Sequence, residues 1–143
     1  MNTHVDPLAR LVSLLGSSLA MYVADAGIWT YPGAEEIKLA LADLADDHRS
    51  LIERAGALLE DRGADVPHHP YPIQFTATHD LDLRALLPRI VSGLEADAAA
   101  LETAAATSGD AEGLDLVREA VTSTRSHLND LRQLLARPRV AAG

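Results

Sequence analysis

A few polar side chains interrupt otherwise apolar rows in this chain of 143 residues. Ser18, Tyr22, Asp25, His48, Asp97 and Thr124 stand where the periodicity around them favours Leu or Ala, and His127 flanks the last row. Burying a polar group costs free energy unless a partner satisfies it, so chemistry would be placed at these positions. Imidazole serves as a base or as a ligand to a transition metal, and a carboxylate can complete a metal shell. His48, His127 and Asp97 are therefore the candidate metal-ligating residues, with Tyr22 a further candidate donor. His68 and His69 adjoin Pro70, but a pair without a third ligand at defined spacing is a weak metal signal.

Other chemistries are excluded by what is missing. The chain has no cysteine, which removes disulfides, thiolate metal sites, iron–sulfur clusters and thiol catalysis. It has no Gly-x-Ser-x-Gly, no Gly-Lys-Thr and no glycine-rich strand–helix turn, so no catalytic or nucleotide-binding residue is assigned. Twelve basic against twenty-one acidic residues give a net charge of −9, the wrong sign for nucleic acid or an anionic membrane. Residues 11–24 are largely apolar and end near a small-x-small sequence. Asp6, Ser13, Ser17 and Ser18 argue for an ordinary first helix rather than a signal peptide. No stretch is long enough to span a bilayer, and a cytoplasmic location is expected.

The elements that must position the polar groups are helices. Alanine and leucine supply a third of the chain, while aromatics are 3%. Asp6-Pro7 starts a first helix over about 7–28, with a seam of Leu8, Leu11, Leu15, Ser18, Tyr22, Asp25 and Trp29. Thr30-Tyr31-Pro32-Gly33 ends it in a tight reversal. A second helix over 34–62 carries Ile37, Leu41, Leu44, His48, Leu51, Ala55 and Leu58, and stops at Gly63. Residues 64–79 hold three prolines and no periodicity, too long for a bundle turn, and make either a long ordered connection or a crossover; Ile73 and Phe75 could pin it down. Thr78 or Asp80 would cap a third helix over 80–107, kinked at Pro88, with Asp97 in its seam. A fourth helix over 110–137 follows Thr107-Ser108-Gly109-Asp110, with Thr124 in its seam. The expectation is one domain over 1–143, an all-α, up-down-up-down four-helix bundle.

In that topology the turns near residues 31 and 109 share one end. His48 and His127 then lie about seventeen and eighteen residues below it, at one height. The same slab receives Ser13, Gly16 and Ser17 from the first helix and residues 88–93 from the third. Small residues and two imidazoles together would make a polar pocket. The simpler expectation is that His48 is a core group satisfied by a neighbour, and that His127 faces water beside Asp130.

Tyr71-Pro72-Ile73-Gln74-Phe75-Thr76 leading into His79-Asp80-Leu81, together with Ala24-Asp25-Ala26, Trp29 and Asp47-His48, resembles small bacterial members of the ferritin-like four-helix bundles. The resemblance covers about residues 8–135. It implies paired Glu-x-x-His motifs on helices two and four, with further carboxylates on helices one and three. His48 and His127 match the two histidines. Ala45 and Thr124 stand where the paired glutamates would be, Asp97 is a shorter and displaced stand-in on helix three, and Asp25 lies at the wrong level. A normal di-iron centre therefore lacks its bridging acids.

Two functions follow as expectations. The first is a ferritin-like bundle with a degenerate di-metal centre, acting as a binding or structural module. An aromatic patch of Trp29, Tyr31, Tyr71 and Phe75 would be its interaction surface, and a helix face could form a homodimer. The alternative is a metal- or small-ligand-binding protein, redox-active if copper, centred on His48 and His127 with Asp97 or Tyr22 assisting; zinc or copper suits such ligands better than iron.

Overall fold

The computed structural model describes residues 6–107 and 110–137, and every regular element among them is helical. Asp6 opens α1 (Pro7–Gly16) by accepting the Leu8 amide at 2.8 Å, and Pro7 supplies a backbone already near helical φ. The expected single helix over 7–28 then breaks. The Ser17 hydroxyl donates to the Ser13 carbonyl (2.6 Å), and Ser18, in extended backbone, accepts the Met21 amide (3.1 Å). Ser18 is thus not a seam residue but the N-cap of α2 (Leu19–Gly27), which with its trailing 3₁₀ turn (Ile28–Thr30) is turned 54° from α1. The buried face changes at the break: Leu8, Leu11, Val12 and Leu15 hand over to Leu19, Ala20 and Val23. Tyr22 becomes half-buried, while Asp25 and Trp29 face outward.

Three long helices complete the set. In α3 (Glu35–Asp61) the predicted row from Ile37 to Ala55 is buried, with Leu59 rather than Leu58 closing it. The helix α4 (Leu83–Ala105) begins later than expected because Asp82, not Thr78 or Asp80, accepts the Arg84 amide (2.8 Å); it runs on through Pro88. Asp110 caps α5 (Ala111–Ala136) through the Gly113 amide at 3.0 Å. Residues 108 and 109 of the last expected turn lie outside the described residues.

Chain direction differs from the up-down-up-down expectation. Asp47 meets His127, Arg54 meets Glu119 and Arg62 meets Asp110, so α3 and α5 are antiparallel. Arg125–Glu102 and Arg132–Glu95 pairs make α4 and α5 antiparallel as well. Consequently α3 and α4 run the same way, and they scarcely touch; the extensive contacts are α1 with α3, α3 with α5, and α5 with α4. The proline-rich segment is long because it returns along the whole molecule. His69 lies against Gly16, the Tyr71 hydroxyl reaches Asp25, Phe75 packs on Tyr22, and the Thr78 hydroxyl meets that of Tyr31 at 3.1 Å. The path ends where the Leu83 amide donates to the Pro32 carbonyl (2.8 Å). Consecutive parallel helices need such a crossover, whereas antiparallel ones are joined by a short turn. Phe75 pins this segment, but Ile73 does not: it is 81% exposed.

Among the described residues no single helix is long and apolar enough to cross a membrane. Together α1 and α2 with its 3₁₀ turn reach that length and apolarity, but only across their 54° bend, and their apolar faces form core.

Candidate functional site

His48 and His127 do come together. His48 is the fourteenth residue of α3 and His127 the seventeenth of α5. Each lies near the middle of its rod, so their heights agree despite the altered topology. Their ring centroids are 6.2 Å apart and nearly perpendicular, at 87°. His48 is fully buried, with Nε2 3.2 Å from Thr124 Oγ1 and Nδ1 without a partner among the described residues. Burial first, and then the neighbouring His127, hold its pKa down at about 4, against a weaker opposing pull from Asp47. At neutral pH this imidazole is uncharged. His127 is mostly covered and donates through Nε2 to Asp47 Oδ2 at 2.6 Å. Its partner is Asp47 rather than Asp130, and the two form an N–H···carboxylate pair at the edge of the core. The Asp47-His48 dipeptide carried this information: adjacent positions on a helix point about 100° apart, so one faces inward and the other reaches the rim.

Asp97 does not join them. It is half-buried on the opposite side, in a cavity of about 240 Å³ between the α1–α2 break and α4. Neither histidine lines that cavity. The single polar slab expected from the sequence is therefore two features: a closed imidazole pair between α3 and α5, and an open cavity lined by Ser17, Ser18, Gly93 and Asp97. Among the described residues no group of three or more His, Cys, Asp or Glu side chains converges as a metal shell. Ala45 and Thr124, where the ferritin-like resemblance would require glutamates, are both buried. These residues do not fit a di-iron centre, because nothing supplies bridging anionic oxygen.

Tyr22 and Asp25 belong to a third cluster. Tyr22 Oη is 2.6 Å from His79 Nε2, and the Tyr71 hydroxyl donates to Asp25, which also pairs with Arg49 at 2.9 Å. Burial and the Asp25 carboxylate push the Tyr71 phenol up. The rings of Tyr22, Tyr71, Phe75 and His79 pack edge-on or tilted, and Tyr31 is buried and stacked on His79. The expected exposed aromatic patch is thus mostly an internal fastening for the crossover segment. Trp29 alone of that set is well exposed, at 60%, with the Lys38 ammonium 5.6 Å from its ring. Sequence reading missed His79 as a partner, since its contact lies 57 residues away in the chain. Comparison with protein-family models, with curated proteins and with solved structures returns no match.

Proposed function

We propose that this chain is a metal-free binding module on a ferritin-like four-helix frame, in which α1 and α2 together form one broken rod. The observation that carries this reading is the buried His48–Thr124 pair at the height where a ferritin-like centre would be built. A neutral imidazole facing a hydroxyl holds no net charge, so the core closes around it without the cost of burying an ion. Ferritin-like bundles place their catalytic carboxylates on facing helices, and here Ala45 and Thr124 occupy two of those places. The crossover between parallel α3 and α4 supports the same frame, since one long connection is the ferritin-like pattern. Function then moves to the exterior, where the break in the first rod opens a cavity. Exposed Trp29, Leu39, Ile73 and Leu81 lie toward the end where α2 hands over to α3 and α4 begins, and a homodimer or protein partner would use that end.

A second reading rests on His48 Nδ1, a buried nitrogen without a partner among the described residues, beside a second imidazole. A mononuclear zinc or copper ion held by the two rings would satisfy it. Elemental analysis of purified protein, before and after incubation with each metal, separates the two. The binding-module reading expects substoichiometric metal and a melting temperature unmoved by EDTA. About one equivalent of metal, lost in both His48→Ala and His127→Ala, would overturn it.

A further inference from the structure

The cavity beside Asp97 has the attributes of a ligand site. Two independent features of the sequence open it. The Ser17-Ser18 break swings α2 away from the line of α1, and Gly93 puts no side chain on the facing stretch of α4. A Cβ built on Gly93 would meet nothing within 4 Å, so the space above it is open. Arg89, Gly93 and Asp97 are spaced four apart and share one face of α4, with about 12 Å along the axis between the first and last. The glycine therefore forms a floor flanked by a cation on one side and a carboxylate on the other. Leu14, Leu19, Leu94 and Phe75 supply apolar wall.

Asp97 is the unusual member. Its carboxylate makes no hydrogen bond or ion pair with any described residue, although it is half-buried. Arg10 acts on it only from a distance, too weakly to offset the loss of hydration. A carboxylate in that state is stabilised by any cation that enters the cavity and donates to it. At about 240 Å³ the space lies below the range of drug-sized pockets and suits a molecule of roughly amino-acid size.

We propose that this cavity binds a small primary ammonium ion with a short aliphatic tail, the ammonium donating to Asp97 and the tail lying against Leu14, Leu19 and Leu94. Such a group occurs in simple monoamines and in apolar α-amino acids, whose own carboxylate would turn toward Arg89. This inference rests on the reading of the chain as a binding module, and it can fail while the metal analysis still supports that reading.

The experiment is an amide NMR titration of the full chain with isopentylamine hydrochloride, leucine and isohexanoate, each to 20 mM at pH 7.5. The proposal expects saturable shifts at Ser17, Ser18 and Gly93 with isopentylamine, none with isohexanoate, and at least tenfold weaker binding in Asp97→Asn. Gly93→Leu, which fills the cavity and leaves the carboxylate in place, is expected to abolish the shifts while retaining the helical circular dichroism. Leucine binding that is weakened in Arg89→Ala would identify the amino acid as the source; amine binding without leucine binding would identify a monoamine. Absence of saturable shifts with isopentylamine, equal binding of isohexanoate, or unchanged amine binding in Asp97→Asn overturns the proposal.

Discussion

Acidification should reveal two buried groups acting in opposite directions. His48 has its pKa held at about 4, below the ordinary 6.5, so the unfolded chain takes up a proton that the folded chain refuses. Its contribution to stability is intact above pH 6.5 and is lost as pH falls toward 4. Asp97 has the reverse sign: burial raises its pKa to about 6 from 3.8, so the folded chain binds the proton first. Its unfavourable contribution is present above pH 6 and is relieved as pH falls toward 3.8. Integrated from pH 7 to pH 5, the histidine term amounts to a loss of about 2 kcal/mol and the aspartate term to a gain of about 1 kcal/mol. From these two groups the wild-type chain should lose about 1 kcal/mol, because they oppose each other. Asp97→Asn removes the compensation and should lose about 2 kcal/mol over the same interval, while His48→Leu should gain about 1 kcal/mol. In His48→Leu the Thr124 hydroxyl can turn to a carbonyl of its own helix, which keeps that variant satisfied. Asp110 and Glu119, both held below the usual carboxylate range by hydrogen bonds, titrate alike in all three chains and cancel in the differences. Urea unfolding at half-unit steps of pH measures each curve. If wild type and Asp97→Asn run parallel, Asp97 is not held out of water. If wild type and His48→Leu run parallel, His48 is not a buried neutral base.

Three further substitutions probe how the frame is held. Gly33 has a φ of +150°, and a Cβ there would lie 2.9 Å from that of Leu83, so Gly33→Ala should destabilise by about 2–4 kcal/mol in thermal or urea melts. Gly16→Ala gains up to about 1 kcal/mol of helix propensity but drives a Cβ to within 2.8 Å of the His69 ring. Its melting temperature should scarcely move while protease cutting within residues 64–72 rises, and His69→Ala added to it should raise the melting temperature. Arg62 bridges Asp6 and Asp110, the N-caps of α1 and α5, at the end of α3. Arg62→Met should destabilise by about 1 kcal/mol at low salt and by less in 0.5 M NaCl, because the pairs are partly exposed.

What the chain's local order determined, and what it left to tertiary structure, divides along physical lines. Helix content, the buried row from Ile37 to Ala55, the Asp6 and Asp110 caps and the inward placement of His48 were legible, because each depends on contacts within about four residues or on one amphipathic period. The break at Ser17-Ser18 was written locally too, as a glycine followed by a capping serine, but an apolar period on both sides masked it. The parallel course of α3 and α4 was not legible, since no local signal says whether a proline-rich loop turns back or travels the length of its neighbours. Pairings such as His127 with Asp47 and Tyr22 with His79 join residues 80 and 57 positions apart, and only packing in three dimensions chooses them. The separation of Asp97 from the histidines was decided there as well. Period and spacing place a side chain on a face of its helix, but which helix that face meets depends on the arrangement of all the rods.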